Sequence, residues 1–239
     1  MILLRKIAII FFDIIDLYYH QKKILKFIKK NKINLKYFLD IGAYMGTYSD
    51  LILKNFENCK ILMFEPQKNI FKKIKIKYEH KKNIKIYNCA ISDKSTFKDI
   101  YINRHDLTSS LSTLDVENNK YLQLKAKLFG TTGSGMILKK IKVKTKKLSE
   151  IIKSQKIKKI DLVKIDTEGH EFEVLKGMGQ SIKNIKYILV EFHNDEIYLS
   201  YNPRKIHNYL IKNNFVLKAT YKFPFTTWED RFYYNKKFK

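Results

Sequence analysis

From residue 37 onward the chain alternates short apolar runs with stretches in which apolar residues recur every three or four positions. Residues 37–41, 60–65 and 84–88 are the runs, and residues 47–56 and 69–78 are the stretches between them. Short apolar runs bounded by turn formers predict strands, and the longer periodic stretches predict helices, so the pattern reads βαβαβ and implies a parallel sheet. After Ser92 the rhythm breaks. Residues 97–102 and 141–145 predict two extra strands, separated by a polar segment at 103–112, a helix near 115–129 and a glycine-rich loop at 130–135. The expectation is an insertion over about residues 103–140, serving either as a cover for a substrate or as a plain surface excursion. The parallel rhythm resumes with a strand at 160–166, a helix at 171–178 and a strand at 187–191. A helix at 204–213 then leads to strands at 215–220 and 231–234, close enough to pair as an antiparallel hairpin.

Ahead of this pattern, Ile24, Leu25, Phe27 and Ile28 alternate with lysines in a helical period that ends at Asn31. The first 19 residues are apolar on most faces, yet their uninterrupted run, residues 7–12, is far shorter than the ~20 residues that cross a bilayer. An early Asp13 and the lack of a small-residue cleavage site also argue against a signal peptide. Residues 1–34 are expected to form a helical extension in front of one α/β domain at 35–239. Residues 1–19 would pack on the protein itself, on a partner or on a membrane surface.

Composition changes this picture little. With 239 residues, 45% of them apolar and 14% aromatic, the chain is long enough and apolar enough for one full core. Its 48 basic against 23 acidic side chains give a net charge of +25, which would ordinarily point to a polyanionic partner. The lysines run evenly from Lys6 to Lys239, however, as a compositionally skewed proteome would place them, so solvated lysines are expected and nucleic acid is not the expected partner. Cys59 and Cys89 lack a Cys-x-x-Cys spacing, which leaves no zinc or disulfide framework and fits a reducing, cytoplasmic setting.

Candidate chemistry gathers where strands end, because ligands of open α/β sheets sit outside the carboxyl ends of the strands. The first strand ends in Asp40-Ile-Gly-Ala-Tyr-Met-Gly46, in which Gly42 and Gly46 would bring backbone close to a ligand and Thr47 would cap the following helix. This spacing differs from the glycine run that seats a pyrophosphate, so a ligand without phosphates is implied. Glu65, ending the second strand, is placed to accept hydrogen bonds from the two hydroxyls of a ribose. Asp40 would suit a ligand amine. Together they describe an adenosine with a positively charged amino-acid tail.

Phe38 to Gly46, Phe64-Glu-Pro66, Ala90-Ile-Ser-Asp93, the block from Ile160 to Gly177 with its Lys164-Ile-Asp-Thr-Glu-Gly-His-Glu171 core, and Val190-Glu-Phe-His193 together resemble the FkbM-type S-adenosylmethionine-dependent methyltransferases. The likeness covers roughly residues 35–195. It implies a class I methyltransferase fold, Rossmann-like, with a mostly parallel seven-stranded sheet, an antiparallel last strand and helices on both faces. It also implies S-adenosylmethionine as cofactor and O-methylation of natural products or glycans. On that basis Asp40, Gly42, Ala43, Tyr44, Gly46, Glu65, Ala90, Ser92 and Asp166 are the expected cofactor residues, with Tyr44 standing where the family often has Asn.

Transfer of a sulfonium methyl to a hydroxyl needs in-line alignment, and a base that takes the proton. Asp166, Glu168, His170, Glu191 and His193 are the candidates. Lys164 and Asp166 fall on one face of their strand, with Glu168 and His170 on the turn beyond. His193 is the favoured base because a neutral imidazole is available at cellular pH; Asp166 would orient acceptor or cofactor, and His193, Asp166, Glu168 and Lys164 form the expected catalytic set. His170 reads as a substrate contact or a bystander, and Glu171 as a cap on its helix's first turn. Asp166, Glu168, Glu191 and His193 could instead gather a divalent ion, but their spacing carries no decisive signature and no metal is assigned. Ser109 and Ser110 are either ligand contacts or solvated loop residues, and Trp228 with Tyr221, Tyr233 and Tyr234 either a stacking platform for sugar or hairpin packing. The expected acceptor is a small molecule or glycan precursor; RNA methylation and a non-catalytic binding protein are the rivals.

Overall fold

The computed structural model describes residues 19–103, 109–115, 119, 122–123, 137–194, 197–199, 201–224 and 226–238. The start of the expected N-terminal helix, the glycine-rich loop at 130–135 and nearly all of the helix expected near 115–129 lie outside this set.

Seven strands form the main sheet: β1 (Tyr37–Ile41), β2 (Lys60–Phe64), β3 (Ile84–Tyr87), β7 (Ile160–Ile165), β8 (Ile185–His193), β9 (Phe215–Lys222) and β10 (Trp228–Asn235). Their order is β3-β2-β1-β7-β8-β10-β9. Pairing is parallel except at β10, which runs antiparallel to both β8 and β9. The expected hairpin therefore exists, and its second strand slots in between its first strand and β8.

Each face of the sheet carries helices. On one face α1 (Gln21–Lys30), α2 (Thr47–Asn55) and α3 (Lys68–Lys77) bury Ile24, Ile28, Ile52 and Ile74 against Phe38, Ile61, Leu162, Leu189 and Phe232. On the other, α4 (Leu148–Ser154), α5 (Glu171–Gly177) and α6 (Pro203–Lys212) bury Ile151, Leu175 and Leu210 against Leu39, Val163, Ile188 and Val190. Strand β7, buried along its whole length, shows why a central parallel strand reads as a continuous apolar run. Its one early acid, Asp161, accepts the backbone N–H groups of Lys36 and Tyr37 at 2.9 and 3.0 Å, which ties the entry of β1 to its neighbour.

A second, three-stranded sheet was only half legible. Strand β4 (Ala90–Ile91) pairs parallel with β6 (Ile137–Lys146), which pairs antiparallel with β5 (Phe97–Asn103). Strand β6 starts four residues before the expected bound because Leu138, Lys139 and Lys140 are exposed and carry no apolar alternation. Helix α4 and a 3₁₀ turn at Gly179–Asn184 were not anticipated; both are shorter than two helical periods.

Candidate active site

The register of the sheet determines which side chains meet. Phe64, Ile41, Ile165 and Val190 form one rung across β2, β1, β7 and β8. One step beyond lie Glu65, Gly42, Asp166 and Glu191, and Glu191 pairs across β10 with Asp230. Four carboxylates thus sit in a row above the carboxyl ends of the parallel strands. One step back, Asp40 is level with Lys164 and points to the same face. A cleft of about 220 Å³ opens over this row.

The glycine turn lies along one edge of the cleft. Gly42 and Ala43 donate their N–H groups to the Phe64 carbonyl at 3.2 and 3.1 Å, and Asp166 donates to the Ile41 carbonyl at 3.0 Å. A side chain on Gly42 would run into the Asp166 carbonyl, and its φ of 82° is one that L-residues avoid. Gly42 is therefore needed for the approach of β7 as well as of a ligand. Gly46 lies outside the cleft lining, where a side chain would run into Tyr78 and Met63. Gly46 itself, at φ 76°, occupies the N-cap of α2, and Thr47 is already the first helical residue with no capping role. Tyr44 adopts φ 45°, a left-handed conformation that Asn enters at least cost among side-chain-bearing residues.

Glu65 is held by the turn it faces. Its two oxygens accept from Tyr44 N–H at 3.1 Å and Gln67 N–H at 2.7 Å, and the residue is buried. Burial outweighs those bonds and pushes its carboxyl up to about 7. A carboxylate offers about four lone-pair sites, so two remain for a ligand. Asp40 accepts Ser49 Oγ at 2.6 Å on one oxygen, while its buried Oδ1 has no hydrogen-bond partner; burial raises its pKa against the pull of Lys164.

At the other end of the row Lys164 Nζ lies 2.6 Å from Asp166 Oδ2. Burial works against the Asp166 charge, but Lys164 outweighs it and holds the carboxyl below its ordinary range. The turn after β7 is organised by Glu171, whose Oε1 accepts from Thr167 N–H and Oγ1 at 3.0 Å and from Gly169 N–H at 3.1 Å. These partners precede the helix, and α5 has no side-chain cap, so the cap on the helix's first turn expected of Glu171 is not formed. Ser110 donates to the Glu168 carbonyl and Ser112 Oγ to the Gly169 carbonyl at 2.7 Å, so the insertion is stitched onto the same turn. Ser109, not Ser110, lines the cleft.

His193 corrects an expectation. It is buried, does not line the cleft, and its Nε2 lies 3.0 Å from Glu191 and 3.9 Å from Glu168. Burial alone would favour the neutral ring, but Glu191 and Glu168 overcome it and raise the imidazole to about 10. Its carboxylate neighbours thus favour the protonated ring over the neutral base expected of it. Glu168 rises to about 7 through burial, opposed by His193, and Glu191 rises well above the carboxylate range through burial and Asp166.

Ser92 is likewise reassigned. It is buried outside the cleft lining, bonded to His170 Nε2 at 3.0 Å and accepting from Lys98 Nζ at 3.0 Å. His170 touches the cleft but is turned toward Ser92; burial first, then Lys98, lower its pKa to about 3. Tyr233 is fully buried, which makes it hairpin packing, whereas Trp228 stacks on Phe223 at 4.1 Å, meets His20 edge-on and also lines the cleft. Asp230 is a cleft residue the sequence does not disclose, because only the insertion of β10 beside β8 brings it there.

Of the expected residues, Asp40, Gly42, Ala43, Tyr44, Glu65, Ala90, Lys164, Asp166 and Glu168 meet in this one cleft, and Gly46, Ser92 and His193 do not. Among solved structures, a SAM-dependent methyltransferase from Aquifex aeolicus matches with a TM-score of 0.50 at 12% identity, covering 92% of each chain. A protein of the NADB-Rossmann superfamily from Streptococcus agalactiae gives 0.51 at 9% identity, covering 91% of this chain and 68% of the other. These likenesses concern the fold: a class I, Rossmann-like sheet. In sequence the chain is 26% identical over 154 residues to the hexuronic acid methyltransferase AglP of Haloferax volcanii, covering 64% of this chain and 54% of that protein. It is also 26% identical over 161 residues to the methyltransferase sdnD of Sordaria araneosa, covering 60% of this chain and 61% of the relative. The chain thus spans little more than half the length of either curated relative. The model of the methyltransferase FkbM domain matches residues 40–223, beginning at the acid of the glycine turn and taking in Glu65, Asp166 and Glu191 of the row; the chain belongs to the FkbM methyltransferase family.

Proposed function

We propose that the chain binds S-adenosylmethionine in this cleft and transfers its methyl group to a hydroxyl of a sugar or glycan precursor. The row Glu65, Gly42, Asp166, Glu191 and Asp230 carries the reading. At one end Glu65 has lone pairs for the two ribose hydroxyls, with Ala90 and Tyr44 beside it; Asp40 has one for the cofactor amine. At the other end Asp166, fixed by Lys164, faces the space in which an acceptor would meet the methyl. The acceptor oxygen forms the new C–O bond as the C–S bond breaks, its electron pair staying on sulfur to leave the neutral thioether. The hydroxyl proton passes to Asp166, the carboxylate that Lys164 keeps ionised. Most of the acceleration comes from alignment, on the order of 7–11 kcal/mol for well-oriented reactants, and a positioned base adds about 10²–10⁴-fold. His193 acts from behind Glu191 as a positioning residue.

A sugar acceptor agrees with the activity named for AglP. The cleft presents Asp40, Glu65, Asp166, Glu168, Glu191 and Asp230 with Lys164 as its one lysine among the described residues, which works against a polyanion such as RNA despite the +25 net charge. The test is calorimetric titration of the purified chain with S-adenosylmethionine, followed by incubation with methyl-labelled cofactor and fractionated glycan, lipid and RNA. Label in glycan with saturable cofactor binding is the expected result. Binding without transfer to any fraction would favour a non-catalytic binding protein, and no binding would remove the reading.

A further inference from the structure

We propose that Glu168, Glu191 and His193 form a site for one divalent cation of the kind taken by mixed carboxylate and imidazole donors, at the acceptor end of the cleft. One ligand atom from each of the three residues lies within 4.8 Å of the others. That spacing suits oxygen and nitrogen donors converging on one ion after small side-chain adjustments.

Three further observations point to a ligand there. His193 Nδ1 is buried without a hydrogen-bond partner, and Glu191 Oε2 and His193 Nε2 face each other at 3.0 Å as an ion pair without hydrogen-bond geometry, in residues 8% and 5% exposed. Buried polar atoms in native proteins are ordinarily satisfied, and those left over mark a place where something else binds. Second, Asp166, Glu168 and Glu191 crowd one spot, and the single buried ammonium nearby, Lys164, is already on Asp166. The protonated His193 ring is the other cation facing them, and a divalent ion would take the place of its Nε2 proton, leaving a neutral imidazole as ligand. Third, the donors are braced. Tyr198 Oη donates to Glu168, Tyr201 Oη accepts the backbone N–H of His193 at 3.0 Å, and both tyrosine rings meet the imidazole edge-on at 5.1 and 5.5 Å. Such outer contacts fix the direction of ligands around an ion. Glu168 and Glu191 line the cleft whereas His193 lies behind them, so an ion held by all three would keep its open positions toward an incoming hydroxyl. The catalytic use, lowering the pKa of that hydroxyl, rests on the methyltransferase reading; the binding itself does not.

The experiment uses the full chain, stripped with a chelator and titrated with Mn²⁺ under electron paramagnetic resonance. One Mn²⁺ per chain is expected, with affinity lowered at least about 100-fold in Glu191→Gln and in Glu168→Gln, since even loss of an outer-shell contact costs 10–100-fold. Glu150→Gln, on exposed α4 surface, should leave it unchanged. Should either variant fail to fold, the wild type still decides: ¹¹³Cd bound to ¹⁵N-histidine-labelled chain should show coupling to one of the six histidines. Absence of Mn²⁺ binding up to millimolar, binding undiminished in folded variants, or ¹¹³Cd without nitrogen coupling each overturn the proposal. Cofactor titration in chelator is run in parallel. Retained cofactor binding and methyl transfer there, with no Mn²⁺ bound, would sink the ion site and leave the methyltransferase reading standing.

Discussion

At the scale of single residues, Glu65 makes the sharpest prediction. In the unliganded cleft its carboxyl sits near 7 because burial disfavours its charge. Ribose hydroxyls that donate to it favour the charged form and lower that value on binding. Cofactor binding should therefore release a proton at pH 6 and none at pH 8.5, and affinity should climb from about pH 5 to 7 and then level off. Calorimetry in buffers of different ionisation enthalpy reads the release directly; proton uptake at pH 6 would exclude the ribose role. Glu65→Ala should weaken binding by about 1.5–3 kcal/mol, the worth of hydrogen bonds to a charged group. His170 makes the opposite kind of prediction. With its pKa lowered to about 3, its ring nitrogens should show no titration in NMR spectra between pH 5 and 8. Glu65 and Asp166 were legible because each ends a strand, a local fact. The burial and charge of His193 were not: Glu191, two residues back on the same strand, is its main partner, but Glu168 and Glu171 are brought beside it from another strand end by sheet order.

At the scale of elements, the glycine turn and the strand ends behave as one unit. Gly42→Ala would force a left-handed φ on alanine and drive Cβ into the Asp166 carbonyl, moving β7 away from β1. A loss of about 3 kcal/mol or more is expected, together with loss of cofactor binding, read from denaturant melts and calorimetry on the same sample. The elements of the main sheet could be read from apolar runs and helical periods, because burial on both faces leaves a strong imprint on strands such as β7. Those that could not be read share a cause. Strand β4 has two residues, α4 seven, and the early part of β6 carries exposed lysines, so none buries enough apolar surface to leave a period. Helix α1 was legible as a helix, but its seat against Phe38 and Phe232 follows from which face of the sheet the other helices leave open.

At the scale of the whole molecule, charge separates by depth. A chain of net charge +25 encloses a cleft with six carboxylates against one lysine among its described residues. Any adsorption of RNA should therefore be an outer-surface effect, falling steeply as salt rises, while saturating RNA leaves cofactor affinity unchanged. Filter binding over a salt series with calorimetry in the presence of RNA checks both, and competition between RNA and cofactor would contradict the arrangement. Fold class was readable at this scale because strand and helix alternation restricts topology severely; five of the cleft's acids, Asp40, Glu65, Asp166, Glu168 and Glu191, were readable at strand ends, and Asp230 was not, because only strand order brings it there. That order has a temporal side. Strand β10 is late in the chain yet interior to the sheet, with β8 on one flank and the earlier-made β9 on the other. During synthesis β8 must wait with an unpaired edge until residue 235 has emerged, so nascent chains halted before that point would expose a sticky ribbon and attract chaperones or one another.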